Sequence, residues 1–231
     1  MKIDIITAFP GVFAYFKESI PKIAEEKGLV KINIVDIRDF SSDTRRSIDD
    51  KPFGGGQGML LMIEPIYKAL KSIVPERFSS KDSNKKTKIL MTSARGRSWR
   101  QSDAESYKDK IEHLIIICGH YEGVDQRVID NFVDEEISIG NYVLSGGELP
   151  AMVISDSILR LIPGVVGTNE SVIDETSFNK DSKLIEYPQY TRPATFTTDE
   201  GLDLKVPDIL LSGHHANIEK WKASNQKEVS L

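Results

Sequence analysis

Short runs rich in isoleucine, valine and leucine, at residues 3–9, 31–37, 88–92 and 113–118, are set apart by longer stretches with helical spacing. That alternation constrains the fold more than any other feature. Strands joined through helices run parallel and need helices over the sheet to cover its apolar faces. The first run, Ile3-Asp-Ile-Ile-Thr-Ala-Phe9, stops at Pro10 and Gly11, and a helix is expected from Val12 to Lys27 with Gly28 as its C-terminal cap. Lys31 to Ile37 alternates polar and apolar residues as a strand does. Glu64 to Ile73 reads as a helix, and another starts near Ser102, between the runs that end at Thr92 and Cys118. The expected class is α/β, with a mostly parallel sheet covered by helices.

A chain of 231 residues, 39% hydrophobic, is long enough for one large domain with a small appendage. No apolar run approaches the ~20 residues of a membrane span. Asp4 interrupts any signal-peptide core, and a lone Cys118 makes no disulfide framework, so a cytoplasmic location without membrane contact is expected. The net charge of −5 excludes an overall basic coat. A local basic run does exist: Arg77, Lys81, Lys85, Lys86, Lys88, Arg95, Arg97 and Arg100, with Asp82 the only acid among them. It reads equally as a solvated loop or as an edge facing a polyanion. Beyond Pro163 the texture turns polar and irregular, with Pro188, Pro193 and Pro207. Residues 1–163 are therefore expected to form the main domain, 164–183 a linker, and 184–231 a small second domain with a helix near Ala216 to Ala223.

Three glycine-bearing stretches stand out as chemistry. Gly54-Gly-Gly-Gln-Gly58 has the spacing of a nucleotide-binding turn, but Asp49-Asp-Lys-Pro-Phe53 before it is loop rather than strand, and no Gly-Lys-Ser/Thr follows. A flexible surface loop explains it as well. In Ile116-Ile-Cys-Gly-His-Tyr-Glu-Gly-Val-Asp-Gln-Arg-Val128, an apolar strand runs out at Gly119 into a polar turn, where parallel α/β folds hold ligands. Glu122 there suits either a ribose or a helix cap. In Ile137-Ser-Ile-Gly-Asn-Tyr-Val-Leu-Ser-Gly-Gly-Glu-Leu-Pro150, Gly140, Gly146 and Gly147 allow close backbone approach to a ligand, and Tyr142, Val143 and Leu144 offer an apolar wall for a planar heterocycle. A shared pocket is the better reading of the last two. His214-His215 lacks accompanying ligands, so no metal site is expected, and no Gly-x-Ser-x-Gly elbow supports covalent hydrolysis.

Together with Ile6-Thr-Ala-Phe-Pro10, Asp36-Ile-Arg-Asp-Phe40, Ile162-Pro-Gly-Val165, Tyr187-Pro-Gln-Tyr-Thr-Arg-Pro193 and Val206-Pro-Asp-Ile-Leu-Leu-Ser-Gly-His-His215, these blocks span nearly the whole chain. In this order they resemble the bacterial tRNA (guanine-N1)-methyltransferase family of the SPOUT superfamily. The resemblance implies a trefoil-knotted α/β methyltransferase domain and a small helical C-terminal domain that binds tRNA. It also implies a homodimer with active sites at the subunit interface. The implied reaction carries a methyl group from S-adenosylmethionine to N1 of the guanine at tRNA position 37, 3′ to the anticodon. The implied cofactor residues are Thr92 and Ser93; Gly119, Tyr121 and Glu122; and Ile139, Gly140, Asn141, Tyr142, Val143, Leu144, Gly146 and Gly147. Whether Mg²⁺ assists is not resolved by the sequence.

Guanine N1 carries a proton and is a poor nucleophile until a base removes it, while charge gathering on O6 calls for a cation. Family members use a linker aspartate before a Ser-Phe pair and an arginine after the knot; Arg160 matches the arginine. Before Ser177-Phe178 stands Thr176, which cannot act as a base. Counting from Gly167 puts Glu175 in the position, with Asp174 next. Ala94 also stands where a family proline is common, and the chain stops at Leu231 without the usual basic extension, which the basic run from Arg77 to Arg100 is expected to offset through phosphate contacts. Two other readings are a knotted methyltransferase for another RNA and a non-catalytic RNA-binding relative.

Overall fold

The structure is a computed structural model that describes residues 1–78, 86–166 and 184–228. The chain divides into two compact units, Met1–Val172 and Ile173–Leu231.

The first unit alternates strands and helices: β1 (Lys2–Thr7), α1 (Ser19–Glu26), β2 (Lys31–Asp36), β3 (Asp49–Asp50), β4 (Leu60–Leu61), α2 (Ile63–Ile73), β5 (Thr87–Ser98), α3 (Gln101–Lys110), β6 (His113–Cys118), α4 (Gln126–Phe132), β7 (Glu135–Ser138) and α5 (Glu148–Leu159). Its central sheet has the order β2-β1-β6-β5-β7, and every pairing in it is parallel. Both faces are buried, as expected for a parallel sheet. Along β6, Leu114, Ile116 and Cys118 join one core with Ala104, Ala151, Ile154 and Ile158. Ile115 and Ile117 join the other with Ile66, Ala69, Leu70 and Val128. The twofold alternation of a strand and its nearly unbroken apolar composition therefore describe the same element.

The helix expected over Val12 to Lys27 is two pieces, a 3-10 segment Pro10–Lys17 and then α1. Glu18 is extended and Ser19 takes φ +50°. Pro21 is the reason: inside a continuous helix it would have no N–H to give residue 17 and its ring would press on that carbonyl. The break lets Phe13 and Phe16 bury from one piece and Ala24 from the other. Val165 is buried in the first unit's core, and Lys27 Nζ donates to the Gly164 carbonyl.

β5 outruns its expected end at Thr92. Its pairing with β7 shifts between Thr92 and Arg97, both of which face Ile137, so residues 93–96 bulge from the ladder. A bulge on this scale redirects the strand end rather than terminating it. Gly96 makes it feasible, since a Cβ there would lie 2.5 Å from the Glu136 carbonyl carbon and the Ile137 nitrogen.

In the second unit, β8 (Leu184–Ile185) pairs antiparallel with β11 (Lys227–Glu228), and β9 (Thr195–Thr197) with β10 (Asp203–Lys205). Two helices follow the second ladder, Asp208–Leu211 and His215–Ser224; the latter covers the expected helix. Tyr187 and Tyr190 rest against Trp221.

Candidate active site

The C-terminal ends of β5, β6 and β7 open onto one cavity of about 540 Å³. Three loops make its wall: residues 92–95, 119–124 and 137–147. They are bound to one another by main chain. Gly147 N–H donates to the Gly119 carbonyl at 2.7 Å, and His120 and Gly146 form an isolated antiparallel bridge. Thr92, buried, receives the Gly119 N–H on its hydroxyl at 3.3 Å and donates that hydroxyl to the Ile117 carbonyl at 3.3 Å. Ser138 Oγ donates to the Gly140 carbonyl at 2.9 Å, which turns the chain out of β7.

The glycines are also needed by the packing around the cavity. A Cβ on Gly147 would lie 1.9 Å from Thr92 Oγ1, and one on Gly146 would lie 2.4 Å from Glu148 Oε2 and 2.5 Å from His120 Nδ1. One on Gly140 would meet the Tyr142 ring at 2.3 Å. These residues make room for the side chains and backbone packed around them, and they line the cavity as well.

Of the residues singled out in the sequence, Thr92, Ser93, Gly119, Tyr121, Glu122, Ile139, Gly140, Tyr142, Val143, Leu144, Gly146 and Gly147 all line this cavity. Asn141 is exposed and does not. Arg160 caps the C-terminal end of α5 and is not part of the lining either. Asp174 and Glu175 lie outside the described residues. Sequence reasoning missed His120, Arg95 and Gln126, which also line the cavity. Arg95 donates to Glu136 at 3.0 Å and to Gln126 at 2.8 Å, holding the bulge of β5 beside the start of α4.

The glycine-rich loop belongs to the same neighbourhood. Glu122 N–H donates to the Met59 carbonyl, Leu61 N–H to Gly123, and Asp125 N–H to Leu61. Gly54, Gly55, Gly56 and Gly58 all have positive φ, and Phe53 is fully exposed at the loop's start. Of the two readings that the sequence left open, a loop is right, and it is moored to the cavity's second wall.

Behind the cavity, Glu148 is buried at the start of α5 and accepts the Thr7 hydroxyl at 2.8 Å. Complete burial pushes the Cys118 thiol well up, with the Glu148 charge adding to it, so Cys118 is no nucleophile. Among the described residues no group of three His, Cys, Asp or Glu could hold a metal.

Within the basic run, Arg77 pairs with Asp134, Lys86 with Glu112, Lys88 with Glu135, Arg95 with Glu136, and Arg97 with both Glu135 and Asp103. Lys81 and Lys85 lie outside the described residues.

A cavity of this volume at the carboxyl ends of parallel strands fits a nucleoside-sized ligand. Leu60, Met91, Ile137, Ile139, Val143 and Leu144 supply apolar wall, and three loop backbones supply donors and acceptors, a set that suits an adenosyl group without a metal. The fold and cavity thus define an α/β protein with a small-molecule site at the strand ends. The match to known proteins narrows this. The family model described as tRNA (Guanine-1)-methyltransferase TrmD matches residues 1–230. A tRNA (guanine-N(1)-)-methyltransferase of Ruminiclostridium cellulolyticum is 50% identical over 223 residues, 96% of this chain and 89% of that one. Proteins of the same name from Carboxydothermus hydrogenoformans and Clostridioides difficile are each 48% identical over 96% of this chain, and over 81% and 90% of their own lengths. The chain belongs to the TrmD family.

Proposed function

We propose that the protein transfers a methyl group from S-adenosylmethionine to N1 of the guanine at tRNA position 37. The observation that carries this is the single cavity formed by the three strand-end loops in a chain that matches the family from end to end. When bound, S-adenosylmethionine supplies an electrophilic methyl that needs only in-line placement. The loops at Thr92-Ser93, Gly119 to Glu122 and Ile139 to Gly147 hold it mainly through backbone groups, with Tyr142, Val143 and Leu144 against the adenine. The Gly147–Gly119 bond and the His120–Gly146 bridge keep the second and third loops side by side before the ligand arrives, so that only a small adjustment is left to binding.

The remaining roles extend the family relationship. Glu175, or Asp174 beside it, takes the N1 proton of guanine, and Arg160 stabilises the charge on O6. The family relationship extends to a trefoil-knotted threading of these loops, which already lie together because β6, β5 and β7 are neighbours in the sheet. The small C-terminal unit holds the tRNA. A homodimer completes the site: Val12, Tyr15, Leu149 and Val153 are exposed apolar residues on the 3-10 segment and α5, and Tyr15 Oη donates to Asp156 at 2.6 Å between those two elements. Exposed apolar residues shared by packed elements are the mark of an interface rather than of solvent. No described helix is long and apolar enough to cross a membrane, and the enzyme acts in the cytoplasm.

The test is transfer of labelled methyl from S-adenosylmethionine to a tRNA transcript, beside a twin with adenine in place of the target guanine. Label on the first alone establishes reaction and site together. Equal label on both places the target elsewhere, and label on neither overturns the activity.

A further inference from the structure

One polar atom at the cavity stands out as unspent. His120 Nδ1 is buried and has no hydrogen-bond partner. The ring is held on two sides, tilted against Phe9 at 4.6 Å and edge-on to Tyr121 at 4.8 Å, so its orientation is set by packing. Nδ1 points at Glu148, whose Oε2 lies 3.9 Å away, too far for a hydrogen bond. The other carboxylate oxygen is already occupied by Thr7. Between the imidazole and the carboxylate sits Gly146: a Cβ there would lie within 2.5 Å of both atoms. The missing side chain keeps the line between them clear. A buried ring nitrogen without a partner, and a carboxylate oxygen 3.9 Å from it across a gap that glycine leaves open, can be joined by a small closing motion.

We infer that His120 is a positioning residue of the cofactor site, whose Nδ1–H closes onto Glu148 Oε2 when the ligand enters and draws the Gly119–Tyr121 loop against the Gly146–Glu148 turn. This rests on the reading of the cavity as the S-adenosylmethionine site. The consequence is affinity. His120 lines the cavity and is bridged to Gly146, so the pair joins two of its three walls directly through side chains, in addition to the backbone bond between Gly147 and Gly119. Neither His120 nor Glu148 needs to touch the reacting atoms.

The experiment is calorimetric titration of S-adenosylmethionine into the full chain and five variants. His120→Phe keeps the ring packing and removes the nitrogen. Asparagine places its amide where the imidazole Nδ1 stands, and glutamine places it near Nε2, so His120→Asn and His120→Gln separate the two nitrogens. Affinity should fall about tenfold in His120→Phe and in His120→Gln, the scale of one hydrogen bond to a charged group, and stay within about threefold in His120→Asn. In Glu148→Gln, adding His120→Phe should cost little further. Melting temperatures without ligand, equal for His120→Phe and His120→Asn, show that packing is not the cause. Normal binding by His120→Phe, equal losses in His120→Phe and His120→Asn, or additive losses with Glu148→Gln would overturn the role. No binding by the unaltered chain would overturn the cavity assignment and the role with it.

Discussion

Glu122 and Gly58 pack so closely that a Cβ on the glycine would stand 2.2 Å from Glu122 Cγ. The glycine-rich loop thereby touches the second wall of the cavity at its most acidic point. The two are also joined by the Glu122 N–H on the Met59 carbonyl. A change in the loop is therefore felt where the cofactor is proposed to sit.

Gly58→Ala should show this directly when compared with Gly55→Ala. Both residues have φ near +84°, so both substitutions carry the strain of a left-handed side chain, about 1 kcal/mol. A Cβ on Gly55 meets nothing within 4 Å, whereas one on Gly58 must displace Glu122. Denaturant melts should place the two variants within about 1 kcal/mol of each other, because Glu122 is exposed and can move. Methyl transfer should fall about tenfold further in Gly58→Ala. Equal activities would mean that the loop does not act on this wall.

Gly147→Ala is expected to fail more severely. Its Cβ would fall 1.9 Å from Thr92 Oγ1 and 2.7 Å from the Gly119 nitrogen, and the second of these is backbone that cannot swing away. Overpacking at such a point costs about 3 kcal/mol. The check is a urea melt of Gly147→Ala alone and with Thr92→Ala. Removing the Thr92 hydroxyl relieves the first clash and leaves the second, so recovery should be partial. Full recovery would show that the backbone approach matters less than the side-chain contact.

How far the sequence carries a reader depends on the range of the interaction involved. The apolar strand that ends at Cys118 and the turn at Gly28 that closes the first helical segment are local, and they were legible. The break at Glu18-Ser19 was also local, and Pro21 was its overlooked signal. The bulge at residues 93–96 is different: Ser93-Ala-Arg-Gly96 is polar enough to read as loop, and only the backbone of Glu136 and Ile137 shows why glycine must stand at 96. The cavity loops were legible as glycine-bearing strand ends, but His120 was not. Its significance lies in Glu148 and Phe9, which come from other elements. The acidic partners of the basic run were out of view for a related reason, since Glu135 and Asp134 sit on or beside β7.

The opposite end of the sheet sets an acid limit on stability. Asp4 is 2% exposed. Burial alone would raise its pKa, but hydrogen bonds from His113, Lys2 and Asn33 prevail and hold the carboxyl below its ordinary value. A group depressed in the folded state contributes stability that is fully present above its unfolded value, near 3.9, and is lost as pH falls through the folded value. Unfolding free energy from urea melts should therefore drop between about pH 5 and pH 2 in the parent and less in Asp4→Asn. At neutral pH Asp4→Asn should itself be less stable by about 3 kcal/mol, because Lys2 and His113 keep their places without the charge they face. Parallel pH profiles for the two proteins would show that another carboxylate governs the acid transition.

The chemistry of proton removal gives the last prediction. Among the described residues the cavity lining holds one carboxylate, the exposed Glu122, whose N–H is bonded to the Met59 carbonyl. In the proposed mechanism the base for guanine N1 is Glu175 or Asp174. Glu175→Gln keeps the shape of the side chain and removes its basicity, so turnover should fall at least about a hundredfold while S-adenosylmethionine binds nearly as before. Asp174→Asn should retain most of the activity. Arg160→Lys should fall between them, since an ammonium keeps the charge facing O6 and loses the planar fork. Single-turnover rates across pH would separate the roles: loss of the base removes the limb that rises with pH, whereas Arg160→Lys lowers the profile without changing its form. If Asp174→Asn rather than Glu175→Gln abolishes the rising limb, the proton passes to Asp174, and the register of the linker against the family is one residue from where it is placed here.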